Sequence, residues 1–322
     1  MAKTKTDGFG NYAASAEDRD LILGSLPPIR GTWFFVDPTS GLAANDGLSP
    51  GSAKASLKEA YDLCTSGAGD GIVLFSAGTD AAGCTSFLSA ALAWTKHGIT
   101  VLGVSSGVRQ FNRARIANAA AVVNLAYLID VSGSNNRFEN LMMINEGTNA
   151  AAIGCLKVSG ARNAFVNCHI AGAVGSASIA TKYALTMTAG EENFFKDCTF
   201  GTDTFAHGNH ADAEVILAGA CARNVFEGCH FLSYVSAGTA HAAVKLDTTT
   251  GGRGTMFKGC VFNSITSVTT PAAAFIQNGA NDKVIVAASS AFNFTAWGLP
   301  GVVYADMPTS TAAAGGGLAT TA

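Results

Sequence analysis

The densest group of chemistry-bearing side chains in this sequence is His207-Gly-Asn-His210-Ala-Asp212-Ala-Glu214. Two imidazoles three residues apart, with an aspartate and a glutamate close behind, are residue types that hold a divalent cation or exchange protons near neutral pH. The competing reading is a polar loop ahead of the strand at Val215, in which His and Asn cap turns or meet a neighbouring subunit. Imidazole ligands need fixed supporting groups that a Gly-Asn loop does not supply, so the loop reading is preferred. His207, His210, Asp212 and Glu214 stand as metal or acid–base candidates, and no catalytic residue, metal or cofactor is assigned.

The other acids are scattered. A glycoside hydrolase needs carboxylates about 5–10 Å apart on one exposed face. A lyase needs a basic proton acceptor, often beside Ca²⁺ held by aspartates. Glu139 and Glu227 occupy equivalent positions, but Val166 and Lys196 stand between them in the same row. Asp197 shares its row with Asn140, Asn167, Gly228 and Gly259, which are turn-forming types. His169 and His230, with Thr199 between them, read as outward-facing strand positions. Phosphate-binding and nucleophile-elbow motifs do not occur, so nucleotide chemistry and serine hydrolysis have no support.

The elements that must position these residues come from an internal repeat. Phe138, Phe165, Phe195, Phe226 and Phe257 follow one another at 27, 30, 31 and 31 residues, and the residue three further on is Leu141, Cys168, Cys198, Cys229 or Cys260. Asn136, Asn163, Asn193 and Asn224 precede the first four of these phenylalanines, and Val284 to Ala287 is a sixth, weaker copy. Upstream of each copy lies a second apolar stretch closed by a Gly turn, as in Cys155-Leu-Lys-Val158 before Ser-Gly. Each repeat therefore supplies at least two short strands and a tight corner. Strands this short bury nothing alone. Stacked at the roughly 4.8 Å spacing of hydrogen-bonded strands, they line up Phe on Phe, Cys on Cys and Asn on Asn. A cysteine ladder at this spacing fits buried packing rather than disulfides or zinc ligation.

The fold class is therefore all-β, a single-stranded right-handed parallel β-helix of about six coils of 27–31 residues. Its span is expected at 33–300, with a capping helix near 52–64 whose Leu57, Ala60, Tyr61 and Cys64 share one face. Residues 1–32 read as an extended arm and 301–322 as an Ala/Gly/Thr-rich tail, each lacking apolar surface to offset ordering entropy.

Composition agrees. Charged residues make up 13% against 48% hydrophobic, and a solenoid whose flanks meet neighbours tolerates so few charges. The net charge of −3 gives no footprint for nucleic acid, and Arg109, Arg113 and Arg115 are too few to make a phosphate groove. No run of about 18 apolar residues reads as a membrane helix. The polar start Met1 to Asp7 lacks the apolar stretch of a signal peptide, so assembly in a cytoplasm is expected.

Phe35-Val-Asp-Pro-Thr-Ser-Gly41, Asn45-Asp-Gly-Leu-Ser-Pro50, Gly69-Asp70-Gly-Ile-Val-Leu74 and the Asn-x-Phe-x-(Asn/Asp/Gly)-Cys repeats together resemble the pectate-lyase-like β-helix superfamily as it occurs in bacteriophage proteins. The resemblance covers roughly residues 33–290. It implies the fold directly and leaves function open among lyases, hydrolases, tailspikes and structural virion proteins. The chain has no room for the flanking domains of a tailspike, so the expectation is a virion protein, a homotrimer decorating or cementing a capsid. Its arm would contact the major capsid protein or other virion proteins. The alternative is a tailspike-like glycan binder or polysaccharide depolymerase, in which Trp33, Trp94 and Trp297 stack on sugar or instead seal the solenoid ends.

Overall fold

The computed structural model describes residues 29–75, 85–104, 114–175, 182–209, 212–237, 241–247, 254–266, 270–277, 283–298 and 303–305. Most of both expected arms lies outside these residues, as do His210, Arg109 and Arg113.

Short strands stack in parallel into three sheets of ten, nine and seven strands. The ten-stranded sheet carries the phenylalanines, with Phe138, Phe165, Phe195, Phe226 and Phe257 in register. Their rings stack at 4.6–4.9 Å with nearly parallel planes, and all five are fully buried. A fully buried Phe contributes roughly 1.5–3 kcal/mol by transfer alone, so this column is a major part of the core. A second column, Phe200, Phe231 and Phe262, stacks beside it at 5.1 and 4.6 Å. Val286 continues the first column and identifies the sixth copy.

The corners explain the repeat. Asn140, Asn167, Asp197, Gly228, Gly259 and Ala288 all have positive φ, between 48° and 63°. Asn135, Arg162, Glu192, Arg223 and Gly254, on the other side of each phenylalanine strand, also have positive φ, between 56° and 69°. Asn, Asp and Gly tolerate this left-handed conformation best, which is why they dominate the row after each phenylalanine. The chain turns there and starts the next sheet at once. The expected minimum of two strands per coil is three in the structure, because the residues after each cysteine, such as His169–Ala173 and His230–Ala237, belong to the nine-stranded sheet.

The cysteine ladder sits just inside this corner. Cys168, Cys198, Cys229 and Cys260 are buried free thiols, and each Sγ donates to the carbonyl of the phenylalanine one coil below, at 3.3–3.5 Å. Ser289 stands at the next rung and makes the same bond to Phe257 at 3.4 Å. At the opposite corner the asparagines form a continuous chain. Asn193 Oδ1 accepts from the backbone N–H and Nδ2 of Asn163, while its Nδ2 donates to Gly160 O and Asn224 Oδ1. The Ile99 N–H closes the chain below Asn136, and Thr255 replaces asparagine above Asn224.

The solenoid extends beyond the recognisable repeats. Trp33–Val36, Gly71–Phe75 and Thr100–Val104 precede them in the ten-stranded sheet. Helix α1 (Leu57–Leu63) closes this end. Ser56 caps it in a reciprocal pair with Glu59, and Leu57, Ala60, Tyr61 and Cys64 are buried together. Tyr61 packs tilted against Trp94, which meets Phe138 edge-on, so the aromatic contacts run from the cap into the repeats.

Candidate functional site

The strand Ala213–Leu217 belongs to the seven-stranded sheet, between Tyr183–Met187 and Ala242–Leu246. Strands of this sheet begin with two successive inward residues, as in the core pairs Cys155-Leu156, Ala184-Leu185 and Ala243-Val244. Register places Glu214 in the first position of such a pair, in one row with Cys155, Ala184, Ala243 and Ala274. A carboxylic acid thus occupies an interior row of small apolar residues. It is fully buried, and neither carboxyl oxygen makes a well-formed hydrogen bond.

Three neighbours surround the Glu214 carboxyl. Gly201, at φ +81°, presents bare backbone, and a Cβ there would lie 3.1 Å from the carboxyl. Burial raises the Glu214 pKa to about 8, against a weaker lowering by hydrogen-bonding approach of the Ser233 hydroxyl, which is fully buried on the strand His230–Ala237 but not aligned for a well-formed bond. His207, 5% exposed, brings Nε2 to 3.8 Å from Oε1. His207 enters on the strand His207–Asn209, which pairs with the end of His230–Ala237 off the main path of its sheet.

Asp212 points elsewhere. Its carboxylate accepts from the Tyr183 hydroxyl at 2.9 Å and pairs with Lys245 at 3.0 Å, and Lys245 also reaches Asp247 at 3.2 Å. The three described candidates of the His207–Glu214 segment therefore divide into an inner pair and an outer aspartate. Among the described residues, no three His, Cys, Asp or Glu side chains converge as metal ligands.

Charges on the outer faces are paired from coil to coil. Arg162 meets Glu192, which with Glu191 meets Arg223. Lys157 pairs with Asp130 at 2.9 Å, and Lys258 approaches Glu227 at 3.8 Å. Glu139 is held by Arg137 within its own strand. Beside this, Ala164, Phe194, Val225, Met256 and Ile285 form one outward row of the ten-stranded sheet, with Ile285 41% exposed.

His169 faces outward but is buried, its Nε2 on Gly201 O at 2.9 Å, and burial lowers its pKa. Trp94 is fully buried and unavailable for stacking on sugar, which overturns that expectation for this residue. Trp297 packs edge-on against Phe262, and Trp33 lies over Gly71, each half-buried. The signal for the Glu214 row was present in sequence as Cys155, Ala184, Ala243 and Ala274 at matching positions, but it required the register to be read.

No protein-family model matches the chain, and no curated protein matches it. Solved structures do. Pectin methylesterase PemA from Erwinia chrysanthemi is 12% identical, with a TM-score of 0.55 over 90% of this chain and 93% of that one. A pectin methylesterase from Aspergillus niger is 15% identical, with a TM-score of 0.53 over 89% and 83%. A rhamnogalacturonan lyase is 14% identical, with a TM-score of 0.55 over 85% and 73%. At such identities the likeness is one of fold, and the chain shares the right-handed parallel β-helix of the pectate lyase and pectin methylesterase type.

Proposed function

We propose that this chain is a structural protein of a bacteriophage virion, a homotrimeric β-helical rod that decorates or cements the capsid surface. The observation that carries the reading is the state of the outer charges. Six acids on the outer faces, Asp130, Glu139, Glu191, Glu192, Asp212 and Glu227, are each engaged by a lysine or arginine of the same chain. Such pairing stiffens a rod and leaves its acids committed rather than poised for acid–base work. The apolar row from Ala164 to Ile285 supplies a flank for contact between subunits. The major capsid protein, reached by the N-terminal arm, is the proposed partner.

The test is the solution mass of the purified protein together with its copy number in the particle. A trimer present in several hundred copies, in fixed ratio to the major capsid protein, is the expected result. A few copies to a few tens would overturn the decoration role. The second reading, a glycan-binding or depolymerising tailspike-like protein, is favoured by the neighbours' names, which are those of pectin methylesterases and a rhamnogalacturonan lyase. A fall in viscosity of a host polysaccharide on adding the protein would select it.

A further inference from the structure

Glu214 is an ionisable group that a purely structural role leaves without a use. It interrupts a row of Cys and Ala, is fully buried, and has no well-formed hydrogen bond to either oxygen, with the Ser233 hydroxyl its nearest hydroxyl neighbour. Burying a carboxyl without partners costs free energy in either protonation state, and far more when charged. What covers it is slight. Among the described residues, the strand His207–Asn209 pairs at His207 with Val235 and at Asn209 with Ala237, with one further bond from Ser236 Oγ to His207 O at 3.3 Å, and residues 203–206 just before it are exposed. Edges held by so few ladder bonds open at low free energy.

We propose that Glu214 is an ionisation-controlled latch: with its carboxyl protonated, the strand His207–Asn209 stays closed over the corner, and with it charged, the strand separates from Val235–Ala237 and admits water.

Among the described residues, the groups facing the carboxyl include no cation other than a protonated His207 to compensate its charge. From the covering strand comes His207, at 3.8 Å. From the nine-stranded sheet come Ser233 and the Gly201 backbone, the latter also holding the outward His169. On the adjacent strands Ala184 and Ala243 flank it, and two residues upstream Lys182 is directed to Gly147 O and His241 to Ser264 Oγ. Just before its own strand Asp212 is taken by Tyr183 and Lys245.

The direction follows from linkage. The closed corner holds the proton up to about pH 8, whereas a carboxyl in water releases it near 4.5. The closed-state pKa is the higher one, so closure is strongest in acid and weakens as pH rises between these values. The opening equilibrium rises tenfold per pH unit across that window and levels off above it.

The experiment is hydrogen–deuterium exchange of the intact protein from pH 5 to 9, corrected for intrinsic exchange, read on peptides covering 203–209 and 233–237. The expected result is opening that grows about tenfold per unit up to about pH 8 in the wild type, and a flat profile in Glu214→Gln. Peptides around Phe138 report that the variant's coils remain folded. A flat wild-type profile overturns the latch whether or not the variant folds. A slope that survives in Glu214→Gln also overturns it, since the titrating group is then another, such as His207.

Discussion

Truncating Asn193 to alanine tests whether the corner asparagines hold the coils together or merely fill space. Asn193 is 1% exposed, and its side chain makes four bonds. Removing it leaves the Asn163 N–H and the Gly160 carbonyl without these partners in a buried corner. Asn163 Nδ2 keeps its bond to Gly133 O, and Asn224 Oδ1 keeps the Asn193 N–H, so those two are only half deprived. Two orphaned backbone groups at about 1–3 kcal/mol each give an expected loss of about 2–6 kcal/mol, beyond any effect of volume. The control is Asn149→Ala, whose side chain makes one exposed bond to the Ala151 N–H and is worth about 0.5 kcal/mol. Urea unfolding followed by circular dichroism reads the difference through the midpoint at constant slope. A loss below about 1 kcal/mol for Asn193→Ala, or one equal to the control, refutes the ladder as a stabilising device.

Gly201→Ala would place a Cβ 2.1 Å from Leu232 O at φ +81°, so the variant is expected to lose soluble yield or melt well below the wild type. Asn140, at φ 57°, predicts that Asn140→Gly changes stability by less than about 1 kcal/mol while Asn140→Val costs about 1–2 kcal/mol, both read by urea midpoint. If the outward apolar row is the trimer flank, Phe194→Lys with Ile285→Lys lowers the mass in light scattering from trimer to monomer and leaves the melting temperature of the coils unchanged.

The repeat was legible because each coil does the same job. Phe165, Phe195 and Phe226 meet identical neighbours above and below, so the same residue is best at each rung and the period survives in the sequence. The third sheet was hidden by the tightness of the corner. Asn167 turns the chain within one residue, and Cys168 and Ile170 resume the inward alternation so soon after Phe165, shifted by a single residue, that the two strands read as one motif. The early rungs carry Ile72 and Val101 where later ones carry Phe, so they lacked the marker although they share the sheet. Nearness in sequence misled at the candidate site, because Asp212 and Glu214 lie on opposite sides of a sheet. Strict alternation would put both on one face. The paired inward residues at the strand start send only Glu214 into the core.

Two kinds of buried polar group therefore coexist in this solenoid, and they behave oppositely. Asparagine at the corner recurs on four successive coils, each amide completing the next, so the arrangement is satisfied and adds stability. Glu214 occurs once, in a row where Ala184 and Ala243 show that a small apolar residue fits, and its oxygens are unsatisfied. Replacing such a group with an apolar one is commonly neutral or stabilising. Stacking alone would not select it. A local conflict with an otherwise consistent pattern marks a position where something other than folding sets the residue, and beside Glu214 lies the weakly paired strand His207–Asn209.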